Sequence, residues 1–243
     1  MARLSIIIPS VNDPRLQDTI DNLRQNAEGE IEVIVMMDEK REGMRAMINQ
    51  GVAKSCGEYL MKVDDHCKFD KGFDVKILAN IESDWIVVPR RYELDTDKWE
   101  LMDDPPIDYE RLVIDKLDKI GGVKWRSRAR ERKNVLLDET MVFQGSCWVM
   151  SRKHWDWLGE LQEKGYGPFT QEPVELALKT WLGGGKVMVN KNTWYAHKHR
   201  KFGRVYAPPG IKEGNKYSQD YWLNNRWEGR IHDLDWLMQR FGL

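Results

Sequence analysis

Apolar runs and helical repeats alternate through the first third of the chain. Four runs rich in β-branched and other apolar residues have the length of buried strands. They are LSIIIPS (4–10), IEVIVMMDE (31–39), EYLMKV (58–63) and DWIVVPRR (84–91). RLQDTIDNLRQN (15–26), with apolar residues at helical spacing, and REGMRAMINQGVAKSCG (41–57), closed by a glycine, separate the first three. This order predicts an α/β fold with a mostly parallel sheet and helices on its faces.

The pattern is less regular beyond residue 92. Residues 93–112 carry acid, a Pro-Pro pair and little periodicity, which predicts a loop with a short helix, and 123–133 form a basic run. The rest predicts a strand (140–152), two helical stretches (152–163 and 172–182), a turn with a strand (183–200), and a tail that ends in a helix.

The composition is that of an ordinary globular protein. Of its 243 residues, 41% are hydrophobic and 32% are charged, and the formal net charge is −1. A near-neutral chain has no global field that attracts nucleic acid or membrane, so any such attraction must be local. The three cysteines lack disulfide spacing, and the N-terminal apolar run is too short for a signal sequence or a membrane span. We therefore expect a soluble, cytoplasmic protein without a membrane partner.

Polar residues follow three of the predicted strands where each strand ends. Pro9 and Ser10 end the first strand, Asp38 lies at the acidic end of the second, and Asp64-Asp65-His66 follow the third. The carboxyl ends of parallel strands meet at one edge of the sheet, where ligands bind in open α/β folds. These residues therefore predict a binding site at that edge.

The DDH sequence is a candidate metal site. In extended chain, residues i and i+2 point the same way, so Asp64 and His66 would face one ligand together while Asp65 turns aside. One carboxylate and one imidazole suit Mn²⁺ or a similar borderline ion, and YAHKHR (195–200) offers His197 or His199 as a third ligand. The alternative is an exposed acidic turn with a histidine that is satisfied by its neighbours, and spacing alone does not decide between the two.

Four motifs in the same order resemble those of a known family. They are DDHC (64–67), KREGM (40–44), EPVELALKTWLGGG (172–185), and HKHRK (197–201) followed by YAPPG (206–210). They are similar to the Asp-x-His-Cys, Lys-Arg-Glu-Gly-Leu, Glu-x-x-Glu/Trp/Gly-Gly and His-x-x-Arg-Lys/Pro-Gly-Gly motifs of the polypeptide N-acetylgalactosaminyltransferase catalytic domain. The chain thus resembles a GT-A glycosyltransferase of the family-two superfamily over most of residues 4–215.

The resemblance implies a Rossmann-like GT-A fold, a UDP-sugar donor and a hexosyl or N-acetylhexosaminyl transferase activity. It implies Mn²⁺ (or Mg²⁺) held by Asp64, His66 and His197, which favours His197 over His199. The implied catalytic residues are Glu172, Glu175 and Asp64. The implied nucleotide-sugar contacts are Pro9, Ser10, Asp38, Arg41, Gly43, Asp65, Gly145, Ser146, Trp181, Arg200, Lys201 and Tyr206. We expect a single domain with a nucleotide- and metal-binding half (1–92), an acceptor and donor-sugar half (93–204), and a lid loop with a C-terminal helix (205–243).

The chain also departs from the family pattern. Asp38 runs directly into EKREG without a further strand, and Pro209 replaces the first glycine of the loop. Inverting family-two enzymes usually carry Glu-Asp with the aspartate as base, whereas this chain has Glu172-Pro173. Inversion would require Glu172 as the base, so we favour retention of configuration.

The basic run suggests an anionic acceptor. Lys124, Arg126, Arg128 and Arg130 fall within one short segment, which suits DNA with a hydroxymethylated base or an acidic glycan, or else forms an ordinary solvated loop. The family resemblance implies a polypeptide hydroxyl instead. A nucleotide-binding domain without catalysis, a nucleic-acid-binding module and a nucleotidyltransferase remain as rival hypotheses.

Overall fold

The computed structural model describes residues 3–115, 119–198 and 208–243. The strands are β1 (Leu4–Ser10), β2 (Ile31–Met37), β3 (Tyr59–Val63), β4 (Cys67–Phe69), β5 (Trp85–Asp95), β6 (Glu100–Leu101), β7 (Glu110–Asp115), β8 (Lys119–Lys124), β9 (Leu137–Glu139), β10 (Cys147–Ser151) and β11 (Lys186–His197). The helices are α1 (Leu16–Asn26), α2 (Met44–Lys54), α3 (Phe73–Leu78), α4 (Arg126–Glu131), α5 (Arg152–Leu158), α6 (Glu172–Leu182), α7 (Pro208–Leu223) and α8 (Leu234–Arg240).

One large sheet organises the chain. Its strands lie in the order β2-β1-β3-β10-β5-β11-β4, with β6 and β9 at its margins, and β7 pairs with β8 in a separate hairpin. Strands β1, β2, β3, β5 and β11 run in the same direction, whereas β10 lies antiparallel between β3 and β5. The α/β fold with a mostly parallel sheet is therefore confirmed.

Helices cover both faces of this sheet and enclose two apolar cores. Alternate residues of β1 point to opposite faces, as strand geometry requires: Ile7 joins the core that contains Trp148 and Trp181, and Ile6 and Ile8 join the core with Phe69 and Phe73. Helices α2, α5 and α6 contribute to the first core, and α1 and α3 to the second. Within the described ranges, the structure contains no helix with the length and apolar character that a bilayer span requires.

The middle of the chain is where the sequence prediction was wrong. Residues 93–112, expected to form a loop with a short helix, instead continue β5 to Asp95 and then supply β6 and the start of β7. The basic run ends β8 and forms α4, and only Cys147–Ser151 of the strand expected over 140–152 is a strand. Strand β4 and helix α3 were not predicted. These elements are short, and long-range pairing rather than local periodicity creates the strands among them.

Candidate metal and donor site

The carboxyl ends of β3 and β11 bring the three predicted metal ligands together. Asp64 and His66 lie in the tight connection between β3 and β4, and His197 is the last residue of β11, paired with the first residue of β4, Cys67. One ligand atom from each of Asp64, His66 and His197 lies within 4.8 Å of the other two. Residues 131 positions apart in the chain thus share one small volume because β11 pairs with both β4 and β5.

The atoms of this cluster face one another at short range. His66 Nε2 lies 3.0 Å from His197 Nε2, and His197 Nε2 lies 3.1 Å from Asp64 Oδ2. Burial opposes protonation of His66, but its contacts with Asp13 and Asp65 raise the pKa of this imidazole to about 9. Burial lowers the pKa of His197 to about 4. The cluster therefore offers one neutral imidazole, a second imidazole that becomes a ligand on losing a proton, and a carboxylate.

Lys62 is a neighbour of the cluster that sequence reasoning missed. Its side chain is almost fully buried, and Nζ donates to Asp64 Oδ1 at 2.5 Å and to the carbonyl oxygen of Gly145 at 2.5 Å. Although burial opposes ionisation, the Lys62 ammonium and His197 lower the pKa of Asp64 well below its usual range. Asp64 is therefore a fixed carboxylate with Oδ1 on Lys62 and Oδ2 on the imidazole side. A lysine in the apolar strand two residues before Asp64 was the available signal.

This donor set fits a borderline divalent ion. One carboxylate oxygen and two imidazole nitrogens match the mixed ligands that Mn²⁺ and similar ions accept, while Mg²⁺ prefers oxygen ligands. The side chains of Asp64, His66 and His197 are 24%, 9% and 7% exposed, so the cluster is largely buried and Asp64 is its most exposed member.

Glu172 lies behind the cluster as a buried carboxylate. Trp148 Nε1 donates to its Oε1 at 2.5 Å, and its Oε2 has no hydrogen-bond partner among the described residues. Burial raises the pKa of Glu172 to about 7, against the opposing effect of Lys62. A Cβ added to Gly145 would collide with Glu172 Oε2, so the glycine is required for this close approach. Gly145 thus links Glu172 to Lys62 and, through it, to Asp64.

Glu175 and Trp181 occupy structural positions. Glu175 forms buried ion pairs with Arg45 and, at 2.8 Å, with Lys179, and it accepts the backbone N–H of Gln162. Trp181 lies in the core, where its Nε1 donates to the carbonyl oxygens of residues 140 and 141. The expectation that Trp181 contacts the donor sugar is corrected, because the residue is 1% exposed and packs inside the core. The surroundings of Glu175 favour a structural rather than a catalytic role.

The remaining residues predicted to contact the donor lie at the same edge of the sheet. Ser10 ends β1 and donates to Asp65 Oδ2 at 2.5 Å, directly after Pro9 within the strand. Asp38 accepts the backbone N–H groups of Glu42 and Gly43 at 2.7 and 2.9 Å, so it shapes the loop that leads into α2. That loop carries exposed Arg41 and buried Gly43.

Ser146 is buried, with Oγ 2.8 Å from the Tyr195 hydroxyl. His199, Arg200, Lys201 and Tyr206 lie outside the described residues. Helix α7 begins at Pro208, so the part of the predicted lid loop from that residue onward is helical.

The basic run divides into inward and outward residues. Arg128 packs between Tyr109, Trp125 and Phe241 and donates to the carbonyl oxygen of Glu139, so its inclusion in the acceptor surface is corrected. Lys124 contacts Glu93 at 3.3 Å, and Glu93 is the register partner of His197 in β5. The basic segment therefore begins beside β5, the strand that pairs with the strand carrying His197. Helix α4, which follows, carries exposed Arg126 and Arg130.

Comparison with known proteins decides the family. The model of the family described as Glycosyl transferase family 2 matches residues 35–158, which is half of the chain and includes Asp64, His66 and Gly145. The chain belongs to glycosyl transferase family 2. This glycosyltransferase is 24% identical over 223 residues to mouse polypeptide N-acetylgalactosaminyltransferase 4, a match that covers 86% of the chain and 35% of that protein. It is 23% identical over 227 residues to human polypeptide N-acetylgalactosaminyltransferase 13, a match that covers 86% of the chain and 38% of that protein.

Solved structures share the fold of this family-2 glycosyltransferase. GalNAc-T7, solved with UDP, GalNAc and Mn²⁺, superposes with a TM-score of 0.79 at 17% identity. The match covers 100% of the present chain and 57% of the GalNAc-T7 chain. Staphylococcus aureus TarS in complex with UDP-GlcNAc gives a TM-score of 0.60 at 12% identity. This match covers 98% of the present chain and 70% of the TarS chain. These similarities confirm the GT-A fold and the resemblance to the polypeptide N-acetylgalactosaminyltransferase catalytic domain. The chain spans little more than a third of the two curated relatives named above.

Proposed function

We propose that this chain transfers a sugar from a UDP-sugar to an acceptor hydroxyl with the help of Mn²⁺ (or Mg²⁺) held by Asp64, His66 and His197. The observation that carries the proposal is the convergence within 4.8 Å of these three side chains, two from the connection after β3 and one from the end of β11. The donor set suits Mn²⁺, and GalNAc-T7 was solved with UDP and Mn²⁺. The TarS complex with UDP-GlcNAc supports uridine, whereas a mannosyltransferase of the same fold was solved with GDP-Man and Mn²⁺.

The chemistry needs charge stabilisation at the departing diphosphate. A bound divalent ion would supply it as a Lewis acid. Lys62 holds the Asp64 carboxylate in one orientation, so this ligand needs no rearrangement before binding. The loop containing Arg41 and Gly43 leads into the N-terminus of α2, and Asp38 fixes that loop through two backbone N–H groups. We propose Arg200 and Lys201 as further cationic contacts of the diphosphate and Tyr206 as a further contact of the donor.

Glu172 is the side chain that we assign to the sugar. Its unsatisfied buried oxygen lies beside Gly145, next to the lysine that holds Asp64, where a donor-sugar hydroxyl would supply the absent partner. The residue after Glu172 is Pro173, which cannot act as a base, and Glu175 is engaged in ion pairs. We therefore propose retention of configuration, which the anomeric proton coupling of the NMR spectrum of the product tests directly.

One sheet carries both halves of the site, which supports a single catalytic domain over residues 1–243. The half containing Asp64 (1–92) and the half containing His197 (93–204) meet through the pairing of β5 with β11 and of β4 with β11. The tail (205–243) contributes α7 and α8, which pack on the core that contains Trp181.

The acceptor proposal follows the relatives. The curated proteins named above are polypeptide N-acetylgalactosaminyltransferases, which supports a Ser or Thr hydroxyl. A second candidate is an anionic acceptor such as DNA with a hydroxymethylated base, favoured by exposed Arg126 and Arg130 close to the Lys124–Glu93 contact. Replacing Arg126 and Arg130 by Gln would lower the salt dependence of DNA affinity by up to about two units of slope if both contact phosphates. An unchanged dependence of DNA affinity on salt would indicate that α4 is an ordinary solvated surface.

The main experiment is a screen of nucleotide sugars by released nucleoside diphosphate, with and without Mn²⁺. Peptide, DNA and glycan acceptors are then analysed by mass spectrometry. Asp64→Ala, His66→Ala and His197→Ala should each abolish transfer, whereas the matched change His232→Ala, at a half-buried histidine stacked on Trp236, should not. Metal-independent transfer by Asp64→Ala or His66→Ala contradicts the catalytic assignment.

The same screen separates the rival hypotheses. UDP binding without transfer or donor hydrolysis would indicate a nucleotide-binding domain. Release of diphosphate from a nucleoside triphosphate would indicate a nucleotidyltransferase. DNA affinity that falls steeply with salt and ignores Mn²⁺ would indicate a nucleic-acid-binding module.

A further inference from the structure

His66 is held at both of its ring nitrogens. Nε2 faces His197 Nε2 at 3.0 Å, on the side of the proposed ion. Nδ1 lies 2.8 Å from Asp65 Oδ1 and 3.5 Å from Asp13 Oδ2. A ring with a carboxylate hydrogen-bonded to one nitrogen presents the other nitrogen in a fixed direction. The His66 side chain is 9% exposed, so its orientation depends on these protein contacts.

Asp65 is itself anchored from the end of β1. Ser10 Oγ donates to Asp65 Oδ2 at 2.5 Å, so the two oxygens of this carboxylate are shared between the serine and the imidazole. The same Ser10 Oγ accepts the backbone N–H groups of Asn12 at 3.2 Å and Asp13 at 3.4 Å. One hydroxyl therefore fixes both Asp65 and the turn that brings Asp13 to His66.

We propose that Asp65, anchored by Ser10, is a positioning residue that accepts the Nδ1–H of His66 and thereby presents Nε2 to the metal ion. This inference rests on the metal centre of the proposed function. It gives Asp65 a role other than the nucleotide contact expected from the sequence. The chain is not extended here, contrary to the expectation from the sequence: Asp65 and His66 form a turn, in which the Asp65 carboxylate reaches both the His66 ring and the serine at the end of the neighbouring strand β1.

A competing arrangement uses the same atoms. Asp13, Asp65 and His66 also offer ligand atoms within 4.8 Å of one another, so a second ion could bind at Nδ1. The 2.8 Å separation of Asp65 Oδ1 and His66 Nδ1 is a hydrogen-bond distance, which favours a shared proton. The two arrangements differ in the number of ions bound per chain.

The test is Mn²⁺ binding to the full chain, measured by electron paramagnetic resonance and calorimetry without donor or acceptor. Wild type should bind one ion. Asp65→Ala should weaken binding by about 10- to 100-fold. Asp65→Asn keeps an acceptor oxygen and should therefore lose less Mn²⁺ affinity. The Mn²⁺ affinity of Ser10→Ala should lie between those of wild type and Asp65→Ala. The matched control is Asp74→Asn, a buried aspartate that accepts the backbone N–H groups of Glu28 and Gly29, which should leave Mn²⁺ affinity unchanged even if stability falls.

A second measurement uses wild type alone and does not depend on how the variants fold. Long-range ¹H–¹⁵N spectra of the Zn²⁺-loaded protein should show His66 with a protonated Nδ1 and an unprotonated Nε2. The reverse tautomer, an Asp65→Ala dissociation constant within twofold of wild type, or two ions per chain of which Asp65→Ala loses one, would each overturn the proposal. If wild type binds no Mn²⁺, the proposed metal centre fails together with this inference. If ion binding depends on Asp64 and His197 but not on Asp65, only this inference fails.

Discussion

Replacing Glu172 by Gln should make the protein more stable at alkaline pH while removing most of its activity. The carboxylate is fully buried, and burial raises its pKa from 4.5 to about 7. A rise of this size corresponds to about 3 kcal/mol of preference for the neutral form. Gln has nearly the same shape, can accept the Trp148 N–H through its own oxygen, and carries no charge at any pH.

The sign of the pH effect follows from proton binding. Below pH 4.5 Glu172 is protonated in both the folded and the unfolded chain, so its ionisation does not affect stability. Between pH 4.5 and 7 the unfolded chain loses this proton first, and the free energy of unfolding of wild type falls as the pH rises. Above pH 7 both states have lost this proton, so the reduction in the free energy of unfolding of wild type stays constant. The advantage of Glu172→Gln should therefore be about 1 kcal/mol at pH 5 and about 3 kcal/mol at pH 8.

Urea unfolding at the two pH values measures this difference, and any fixed cost of the amide group cancels between them. Glu213→Gln, at an exposed position of α7, is the matched control and should show no such change. Equal stability differences at pH 5 and pH 8 would show that the Glu172 carboxylate is not destabilised by burial. In parallel, transfer activity should fall at least about 100-fold if the carboxylate acts on the sugar or its acceptor. Full activity in Glu172→Gln would refute the assignment.

Gly43→Ala should lower the free energy of unfolding by about 3 kcal/mol, because its φ of +113° is strained for an L side chain and the added Cβ would lie 2.5 Å from the Pro168 Cα. Gly159→Ala, with a φ of +74° and no atom within 4 Å of the new Cβ, should cost only about 1 kcal/mol, and equal costs in urea unfolding would argue against a clash. Arg45→Met should cost about 3–5 kcal/mol, since it removes the buried partner of Glu175. An unchanged melting temperature in Arg45→Met would mean that the remaining partners of Glu175, Lys179 and the backbone N–H of Gln162, suffice.

The parts of the site that lie at predicted strand ends could be read from the sequence. Apolar runs that end in Ser10, Asp38 and Asp64 gave the edge of the sheet because strand direction follows from the alternation of strands and helices. The choice of His197 over His199 came from family resemblance, since spacing alone leaves both open. It is the register of β11 against β4 that places His197 opposite Cys67, and no local pattern contains that pairing.

The sequence was less informative where a side chain has two competing environments. Trp181 lies on a helix that also carries Glu172 and Glu175, and only the packed structure shows that the indole faces the core. Arg128 belongs to a basic run whose charge pattern predicts solvent exposure, yet its guanidinium lies 5.4 Å from the centre of the Phe241 ring near the C-terminus. Such contacts join residues far apart in the chain, so they follow from tertiary packing rather than from composition.

The site draws on elements that meet only when the sheet is complete. Asp64 and His66 come from the connection after β3, whereas His197 reaches them through the pairing of β11 with β4 and β5. An ion that binds all three ligands therefore binds the folded chain and not the unfolded one, and its binding free energy adds to stability. At an ion concentration 100 times the dissociation constant, this linkage amounts to about 2.7 kcal/mol. Such an ion would tie the connection after β3 to the end of β11, because neither segment can move away from the other while the ion is bound.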